Sequence, residues 1–394
     1  MTNEPKRRFL IKLLLFLSPF ILAWGLPIYV MVAGGEFTAH EEVMQAQLES
    51  DTPVRYSAAF SARFPHYKRA FTNERKPQIL VLGSSRSMQI RSRFFKPNYR
   101  FYSASGSVAR IAHAQHFLEH IDKEALDSIE MIVLGVDQDF FNVKFDNGSI
   151  EQNSFPDSFD NDVSPGIVFK YNWLSVYKKL REGKSLSWSD CTQLHRSPHY
   201  GLAGKVQGRG FRLDGSSYYK DFIENGGNEY EGYPDYHFLE TLKKIDEGKD
   251  SSRFSHSPSI NPASLQRLEE LLAFCQQEGI YVAGYLPGYA TPVWEKMNSM
   301  SDKYGYLHGL PEAVGTLFTK YGMRVWDFSD IRSFGSSDAE TIGGFHVSEN
   351  AHLRMQIIMA EQDERFRKYS EDPNYLRKRL AEATNSYDVF HDEF

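Results

Sequence analysis

The chain has 394 residues, which is enough for one large domain or two small ones. Its 41% hydrophobic and 24% charged residues are ordinary for a globular protein and exclude a largely disordered chain. The formal net charge of -6 argues against a nucleic-acid partner, because neutralising phosphates requires a basic surface. The two cysteines, Cys191 and Cys275, are too few for a disulfide framework.

The first predicted element is a membrane anchor at residues 1–35. A basic cluster at residues 6–8 precedes an apolar stretch that has no charged side chain between residues 13 and 33. About 20 such residues are enough to cross a bilayer. The small residues at 32–34 also resemble a signal-peptidase site, but the apolar run is longer than the core of a usual signal peptide. We therefore expect an uncleaved transmembrane helix.

The charges around this helix predict its orientation. Positively charged residues beside a transmembrane helix favour the cytoplasmic side, and here they precede the helix. We expect a cytoplasmic N-terminus and a soluble part that faces outward from the cytoplasmic membrane of a bacterium, in the periplasm or the extracellular space. No later stretch is long and apolar enough to return the chain, which predicts a single-pass topology.

Residues 36–75 are mixed and polar, and we interpret them as a stalk. From residue 76 to residue 366 short apolar runs alternate with helical patterns, which predicts an α/β domain with a parallel sheet covered by helices on both faces. Asn261 and Pro262 are typical of a helix start, and Cys275 lies on the apolar stripe of that helix, which favours a buried thiol over a disulfide. The predicted strands are Gln78–Leu82, Tyr99–Ser103, Ile129–Val136, Ile280–Leu286 and Met323–Phe328.

The regular pattern is interrupted between about residues 143 and 258. This stretch is rich in Asn, Asp, Gly, Ser and Tyr and is too long for a connecting loop, so we expect an insertion on one edge of the sheet. Residues 211–216 within it either line the site or form a structural hairpin, and residues 367–394 are interpreted as a C-terminal tail. The tyrosines that could stack on sugar rings, if they are not core residues, are Tyr218, Tyr219, Tyr230, Tyr233 and Tyr236.

Open α/β sheets place their sites at the carboxyl ends of the strands. The first strand is followed by GSSRS at residues 83–87, and the second by SASGS at residues 103–107. The third strand is followed by GVDQD at residues 135–139, and GGFHVS at residues 343–348 places a histidine just before a capped helix. A hydroxyl-rich turn with exposed backbone N–H groups suits a nucleophile beside an oxyanion hole, and also suits phosphate binding.

This series of turns resembles the SGNH (GDSL-like) hydrolase superfamily. It is most similar to the membrane-anchored branch that contains the D-alanyl transfer protein of teichoic acid modification and the alginate O-acetylation proteins. The resemblance implies a three-layer, flavodoxin-like fold over residues 77–142 and 262–365. It also implies that Ser85 is the nucleophile, that His346 is the general base and that Gly106 contributes an oxyanion-hole N–H group.

The sequence departs from the family pattern at two places. The family has an acid three residues before the histidine, whereas this chain has Gly343 there, so Asp338, Glu340 or a backbone carbonyl would have to orient the imidazole. The asparagine of the third turn is also absent, and the side-chain amides near it belong to Gln138 and Asn142. We expect Gln138 and Arg86, the residue after Ser85, to contact the oxyanion or the substrate.

The resemblance implies extracytoplasmic transfer of an acyl group, with acetyl as the expected group, onto a cell-envelope or secreted polysaccharide. The expected partners are that polysaccharide, the membrane and a multi-pass membrane O-acyltransferase that delivers the acyl group. We expect no cofactor and no metal in the site. Two alternative functions stay open. One is an anchored carbohydrate esterase with the same catalytic residues, and the other is an inactive SGNH-like protein that binds glycans or assists assembly.

Overall fold

The computed structural model of the protein describes residues 4–60, 64–146, 164–225 and 229–391. The chain forms two compact units. The first comprises Met1–Arg63 and Asp162–Gly210, and the second comprises Phe64–Asn161 and Phe211–Phe394. The second unit has the α/β architecture that the sequence predicts and contains every residue of the candidate site.

The second unit is built on a sheet of five parallel strands. In chain order these are β1 (Ile79–Leu82), β2 (Phe101–Ser103), β3 (Met131–Gly135), β6 (Tyr281–Leu286) and β7 (Arg324–Asp327). Their spatial order is β2-β1-β3-β6-β7, so the chain reverses its direction of travel across the sheet after β2. All pairings are parallel. The carboxyl ends of the strands therefore meet at one edge of the sheet.

The three inner strands consist almost entirely of buried side chains, because helices cover the sheet on both faces. Neighbouring residues of β6 show this arrangement. Gly284 faces the ring of Phe318, which lies on helix α13 (Tyr306–Lys320). Tyr285 faces the opposite way and packs edge-on against His352 of helix α14 (Glu349–Gln362).

Further helices and short strands complete the second unit, and several of them begin with a side-chain cap. Helix α11 begins at Pro262 with Asn261 as its cap, as the sequence predicts. These elements are α3 (Phe64–Arg75), α4 (Ile111–Glu119), α5 (Lys123–Ser128), β5 (Ser217–Tyr218, paired with β4, Gly210–Phe211), α9 (Lys220–Asn225), α10 (His237–Glu247), α11 (Pro262–Gln277), α12 (Thr291–Ser299), β8 (Thr341–Ile342), β9 (His346–Val347), α15 (Glu364–Tyr369) and α16 (Pro373–Glu382).

The first unit is helical in its described residues. Val30 and Met31 of the N-terminal helix are buried against Val176 and Leu180, so part of the apolar N-terminal stretch belongs to a protein core. The helices are α1 (Glu4–Ala33), α2 (His40–Glu49), α6 (Pro165–Glu182), α7 (Trp188–Cys191) and α8 (Leu202–Gln207).

Within the described residues, no single helix has the length and hydropathy that crossing a bilayer requires. By length and composition alone, the two halves of α1, Lys6–Phe20 and Ala23–Ala33, meet that requirement together, and they are bent by 63° at the break. Pro19 lies just before the bend, and a proline inside a helix removes a hydrogen bond and kinks the helix. The helix is therefore bent near Pro19.

Two predicted segments have an organisation that the sequence did not indicate. The stretch interpreted as a stalk contains α2 in the first unit and α3 in the second. The stretch interpreted as one insertion on the sheet is divided, because residues 162–210 pack with the N-terminal segment and residues from 211 onward join the α/β unit. Both cysteines are buried free thiols.

The packing of α13 on the sheet at Gly284 predicts that two glycine-to-alanine substitutions have opposite effects on stability. A Cβ at Gly284 would lie 2.4 Å from the Phe318 ring, so Gly284→Ala should destabilise the protein by about 1–3 kcal/mol through overpacking. A Cβ at Gly315 of α13 would meet nothing within 4 Å, so Gly315→Ala should stabilise it by about 0.5–1 kcal/mol. Urea unfolding of the full chain measures both, and equal effects would contradict the packing described for α13.

Candidate active site

Two half-buried side chains meet at the carboxyl edge of the sheet. Ser85 begins a short 3₁₀ turn directly after β1, and His346 begins β9, just before α14. The Ser85 Oγ lies 3.0 Å from the His346 Nε2. That is hydrogen-bonding distance between a hydroxyl and a general base, so the structure brings together the two residues that the resemblance pairs.

The other hydroxyls of the same turn are engaged inside the protein. The Ser84 Oγ donates to the Asp137 carboxylate at 2.6 Å. The Ser87 Oγ accepts from the Tyr285 hydroxyl at 2.7 Å, and Ser87 is fully buried. Ser85 is therefore the serine of this turn whose hydroxyl faces the histidine, which fits a nucleophile better than either neighbour.

Arg86 links the loops that surround this pair. Its side chain is 1% exposed, and its Nε donates to the Phe345 carbonyl at 2.9 Å. One terminal nitrogen donates to the Gln138 side-chain oxygen at 2.8 Å, and the other to the carbonyls of Pro287 and Gly288 at 3.0 and 2.9 Å. The guanidinium is therefore occupied within the protein, where we expected it to contact the oxyanion or the substrate.

The predicted oxyanion donors are also bonded within the protein. The Gly106 N–H donates to the Gly83 carbonyl at 2.8 Å. The Gln138 amide is 1% exposed and donates to the oxygens of Pro287 and Ser329, both at 2.8 Å. In this arrangement neither group can donate to an oxyanion. The sequence located these turns but contains no local signal for the bonds inside them.

Two donors near the site differ in availability. The Asn142 amide, the other side chain considered for the third turn, donates to the Ser255 carbonyl at 2.5 Å. The backbone N–H of Ser85 donates to no residue that the structure describes. A nucleophile's own N–H points into the space beside its Oγ, so this group is an available oxyanion donor.

The two acids considered for orienting the imidazole lie in other interactions. Asp338 accepts a 2.7 Å bond from the Thr291 N–H, at the start of α12. Glu340 is bonded to Asn350 and Arg354. The orienting role that the sequence analysis assigns to Asp338 is therefore not seen here, because its carboxylate holds the start of a helix.

The histidine lies on the β8–β9 hairpin. His346 pairs with Ile342 across this hairpin, and the Ile342 backbone acts to raise the pKa of the imidazole, less strongly than burial lowers it. Gly343, at the position of the family's acid, has a left-handed φ of 61°, and its N–H donates to the Asp235 carboxylate at 2.9 Å. This left-handed conformation favours glycine over other residues. The turn therefore requires glycine here, and this position supplies no carboxylate to orient the imidazole.

The charges around His346 disfavour its protonated form. Burial is the largest effect, and with the positive charges of Arg253 and Arg86 it lowers the pKa of His346 to about 3. Arg253 is itself held by the carboxylates of Asp137 and Asp139, each at 2.7 Å. Burial raises the pKa of Asp139 to about 6. The imidazole is therefore neutral at neutral pH, the state in which it can accept a proton.

Two supporting residues come from the predicted insertion, where no motif marks them. Asp235 accepts from the Gly343 turn, and Arg253 lies beside the ring of Phe345, 5.6 Å from its centre. Phe345 in turn packs on His346, with 4.1 Å between ring centres. Asp235 and Arg253 therefore contact the residues next to His346, although the sequence around them shows only a polar, irregular pattern.

The segment at residues 211–216 forms a buried turn below the start of α14. Arg91 bonds the carboxylate of Asp214 at 3.3 Å and that of Glu349, the first residue of α14, at 3.4 Å. Arg212 is 1% exposed and donates to the Ser217 carbonyl. Of the two interpretations of this segment, the structural hairpin is the one that the contacts favour.

The tyrosines of the insertion have different environments. Tyr218 is buried, and Tyr233 stacks on Phe238 in the core around α10. Tyr230 and Tyr236 are exposed and contact each other edge-on, with 5.4 Å between ring centres. Of the five tyrosines considered for sugar stacking, Tyr230 and Tyr236 are the two whose side chains are exposed, as stacking on a sugar requires.

Among the described residues, one group of three possible metal ligands is close enough together to share an ion. It comprises His116, Glu119 and His120 at the end of α4, whose ligand atoms lie within 4.8 Å of one another. None of the three belongs to the group around Ser85 and His346.

Comparisons with protein-family models, with curated proteins and with solved structures found no match for this chain. The chemistry of the site is therefore argued from its geometry.

The contacts of Arg86 predict a large effect of a conservative substitution. Lysine cannot reproduce the forked hydrogen bonds of arginine, so Arg86→Lys should leave buried carbonyls without donors and lower the free energy of unfolding by about 3 kcal/mol. Arg93→Lys, at an exposed position of the following turn, should change it by less than about 0.5 kcal/mol. Urea unfolding measures both, and a similar small change in each would refute the role given to Arg86.

Proposed function

We propose that the protein is an SGNH-like serine acyltransferase that acts outside the cytoplasm on a polysaccharide. The observation that carries the proposal is the 3.0 Å contact between the Ser85 Oγ and the His346 Nε2 at the carboxyl edge of a parallel sheet. When the five strands of this sheet are numbered 1 to 5 along the chain, their spatial order is 2-1-3-4-5. This is the flavodoxin-like arrangement, whose ligand sites lie at the carboxyl edge.

The chemistry follows from the two side chains. His346 takes the proton of Ser85, whose Oγ attacks the carbonyl carbon of an ester or thioester. The Ser85 N–H stabilises the oxyanion, and His346 returns the proton to the leaving group as the acyl-enzyme forms. A sugar hydroxyl then gives its proton to His346 and attacks the acyl carbon, and Ser85 leaves with that proton. The new sugar ester and the free enzyme are the products.

The N-terminal helix supports a location at the membrane. Its first half carries exposed apolar side chains, including Phe9, Leu15, Phe16 and Phe20, and basic residues at positions 6–8 precede it. Such a surface is stable in lipid but not in water. We infer a cytoplasmic N-terminus, with the catalytic unit facing outward beside a multi-pass O-acyltransferase that supplies the acyl group.

A second candidate function is an inactive SGNH-like protein that binds glycans. The observation in its favour is that the Gly106 N–H and the Gln138 amide are both bonded inside the protein. An anchored esterase would use the same residues as the transferase, with water in place of the sugar hydroxyl.

Covalent labelling separates the enzymes from the inactive protein. A serine-reactive phosphonate should label the full chain, and Ser85→Ala should abolish the labelling. His346→Ala should slow it by about 10³-fold or more, because the general base is lost. Ser87→Ala is the matched control in the same turn, and it should keep the labelling because the Ser87 hydroxyl is buried against Tyr285.

Labelling that persists in Ser85→Ala would exclude Ser85 as the nucleophile, and wild-type protein that is never labelled would favour the inactive protein. Product analysis then distinguishes the two enzymes. With an activated acetyl ester and a mixture of polysaccharide acceptors, the transferase should acetylate an acceptor, whereas an esterase would release only free acetate.

The pKa of His346 predicts the pH dependence of labelling. His346 must be neutral to act as a base, and its pKa is lowered to about 3, so the labelling rate should persist as the pH falls from 7 to about 5. Removing a positive charge raises the pKa of a neighbouring imidazole. Arg253→Gln should therefore raise the pH below which the labelling rate falls. The exposed Arg332→Gln should not move it. A labelling rate of the wild-type chain that falls to half near pH 6.5 would contradict the electrostatics described for this site.

A further inference from the structure

Helix α6 exposes an apolar stripe on one face. Ile167, Tyr171 and Leu174 recur at the spacing of one helix face and are 50%, 72% and 61% exposed. The opposite face is used for packing, since Val176 and Leu180 are buried in the core of the first unit. Large exposed apolar patches are uncommon on soluble proteins and mark a surface that contacts a partner or a membrane.

This stripe lies on a helix that contacts the second half of α1. The hydroxyl of Tyr177 donates to the Ala23 carbonyl at 3.0 Å. Trp173 stacks on Trp24, with 5.5 Å between ring centres, and Trp24 is still 49% exposed. Trp and Tyr prefer the boundary between lipid and water, so this contact has the composition of a membrane interface.

The charges on the exposed face of α6 are mostly positive. Lys170 lies within the apolar stripe, and Lys178 and Arg181 continue the same face, all three exposed. Lys179 is half-buried, and Glu182, which lies 4.0 Å from Lys178, is the acid of the last turn. Lysine is depleted in the centres of protein–protein interfaces, whereas helices that lie on membranes combine apolar residues with Lys and Arg.

We propose that α6 lies on the outer surface of the bilayer, as a second membrane contact beside the α1 anchor. Ile167, Tyr171 and Leu174 enter the boundary between headgroups and acyl chains, and the basic side chains lie among anionic headgroups. This inference goes beyond the acyltransferase function and does not depend on catalysis. It rests on the proposed anchoring of α1, and it assigns residues 165–182 of the predicted insertion to the membrane.

The test is site-directed labelling of the full chain in lipid vesicles that contain phosphatidylcholine and phosphatidylglycerol. Both native cysteines are buried, so a single Leu174→Cys variant can carry an environment-sensitive fluorophore. Leu48→Cys is the matched control, since Leu48 is an exposed leucine of α2 in the same unit. We expect a blue-shifted label at residue 174 that aqueous iodide quenches several-fold less than the label at residue 48. Lipid-borne spin labels should quench residue 174 preferentially.

Three other outcomes would each overturn the inference in a distinguishable way. Iodide quenching at residue 174 that equals the quenching at residue 48, in a chain that resists carbonate extraction, leaves the anchor in place and removes α6 from the membrane. A chain that carbonate extracts from the vesicles removes the anchor as well. A label at residue 174 that is shielded only in native membranes, and not in protein-free vesicles, assigns this face to a protein partner.

Discussion

The buried guanidinium of Arg86 is the group on which the geometry of the site depends. It follows Ser85 in the chain, and it donates to the carbonyl of Phe345, the residue before His346. This one bond therefore connects the neighbours of the proposed nucleophile and the proposed base. Its remaining bonds reach the ends of β3 and β6, so the same cation also fixes the loops on either side. A desolvated charge is costly without acceptors, and the fold supplies one for each donating nitrogen.

The glycine turn before His346 has a chemical consequence. The position three residues before His346 is a glycine in the left-handed conformation, so it supplies no carboxylate to the imidazole. A carboxylate there would stabilise the imidazolium that forms during proton transfer, whereas the positive charge of Arg253 disfavours it. His346 is therefore a weak base. In the proposed mechanism, a weak base removes the Ser85 proton with a small driving force, which favours activated esters or thioesters over amides as substrates.

Much of the α/β architecture could be predicted because its signals are local. The strand predicted at residues 78–82 is observed at Ile79–Leu82, and the helix expected to begin at Pro262 does begin there. The contacts of Arg86 could not be predicted, since its acceptors lie between 52 and 259 positions away along the chain. The same limit applies to Gly106. Sequence identifies its turn, but only the folded backbone shows that its N–H is already bonded to Gly83.

The predicted insertion illustrates how a continuous sequence segment can serve two separate cores. Residues 165–182 bury Val176 in a core that also contains Val30 and Met31 at the end of α1. Residues after 211 contain the acid that holds Gly343 and the arginine that lowers the pKa of His346. Overall composition could not separate these parts, because the whole stretch is rich in Asn, Asp, Gly, Ser and Tyr. Each part is defined by what it packs against, so its boundary follows from burial and charge pairing in the folded chain.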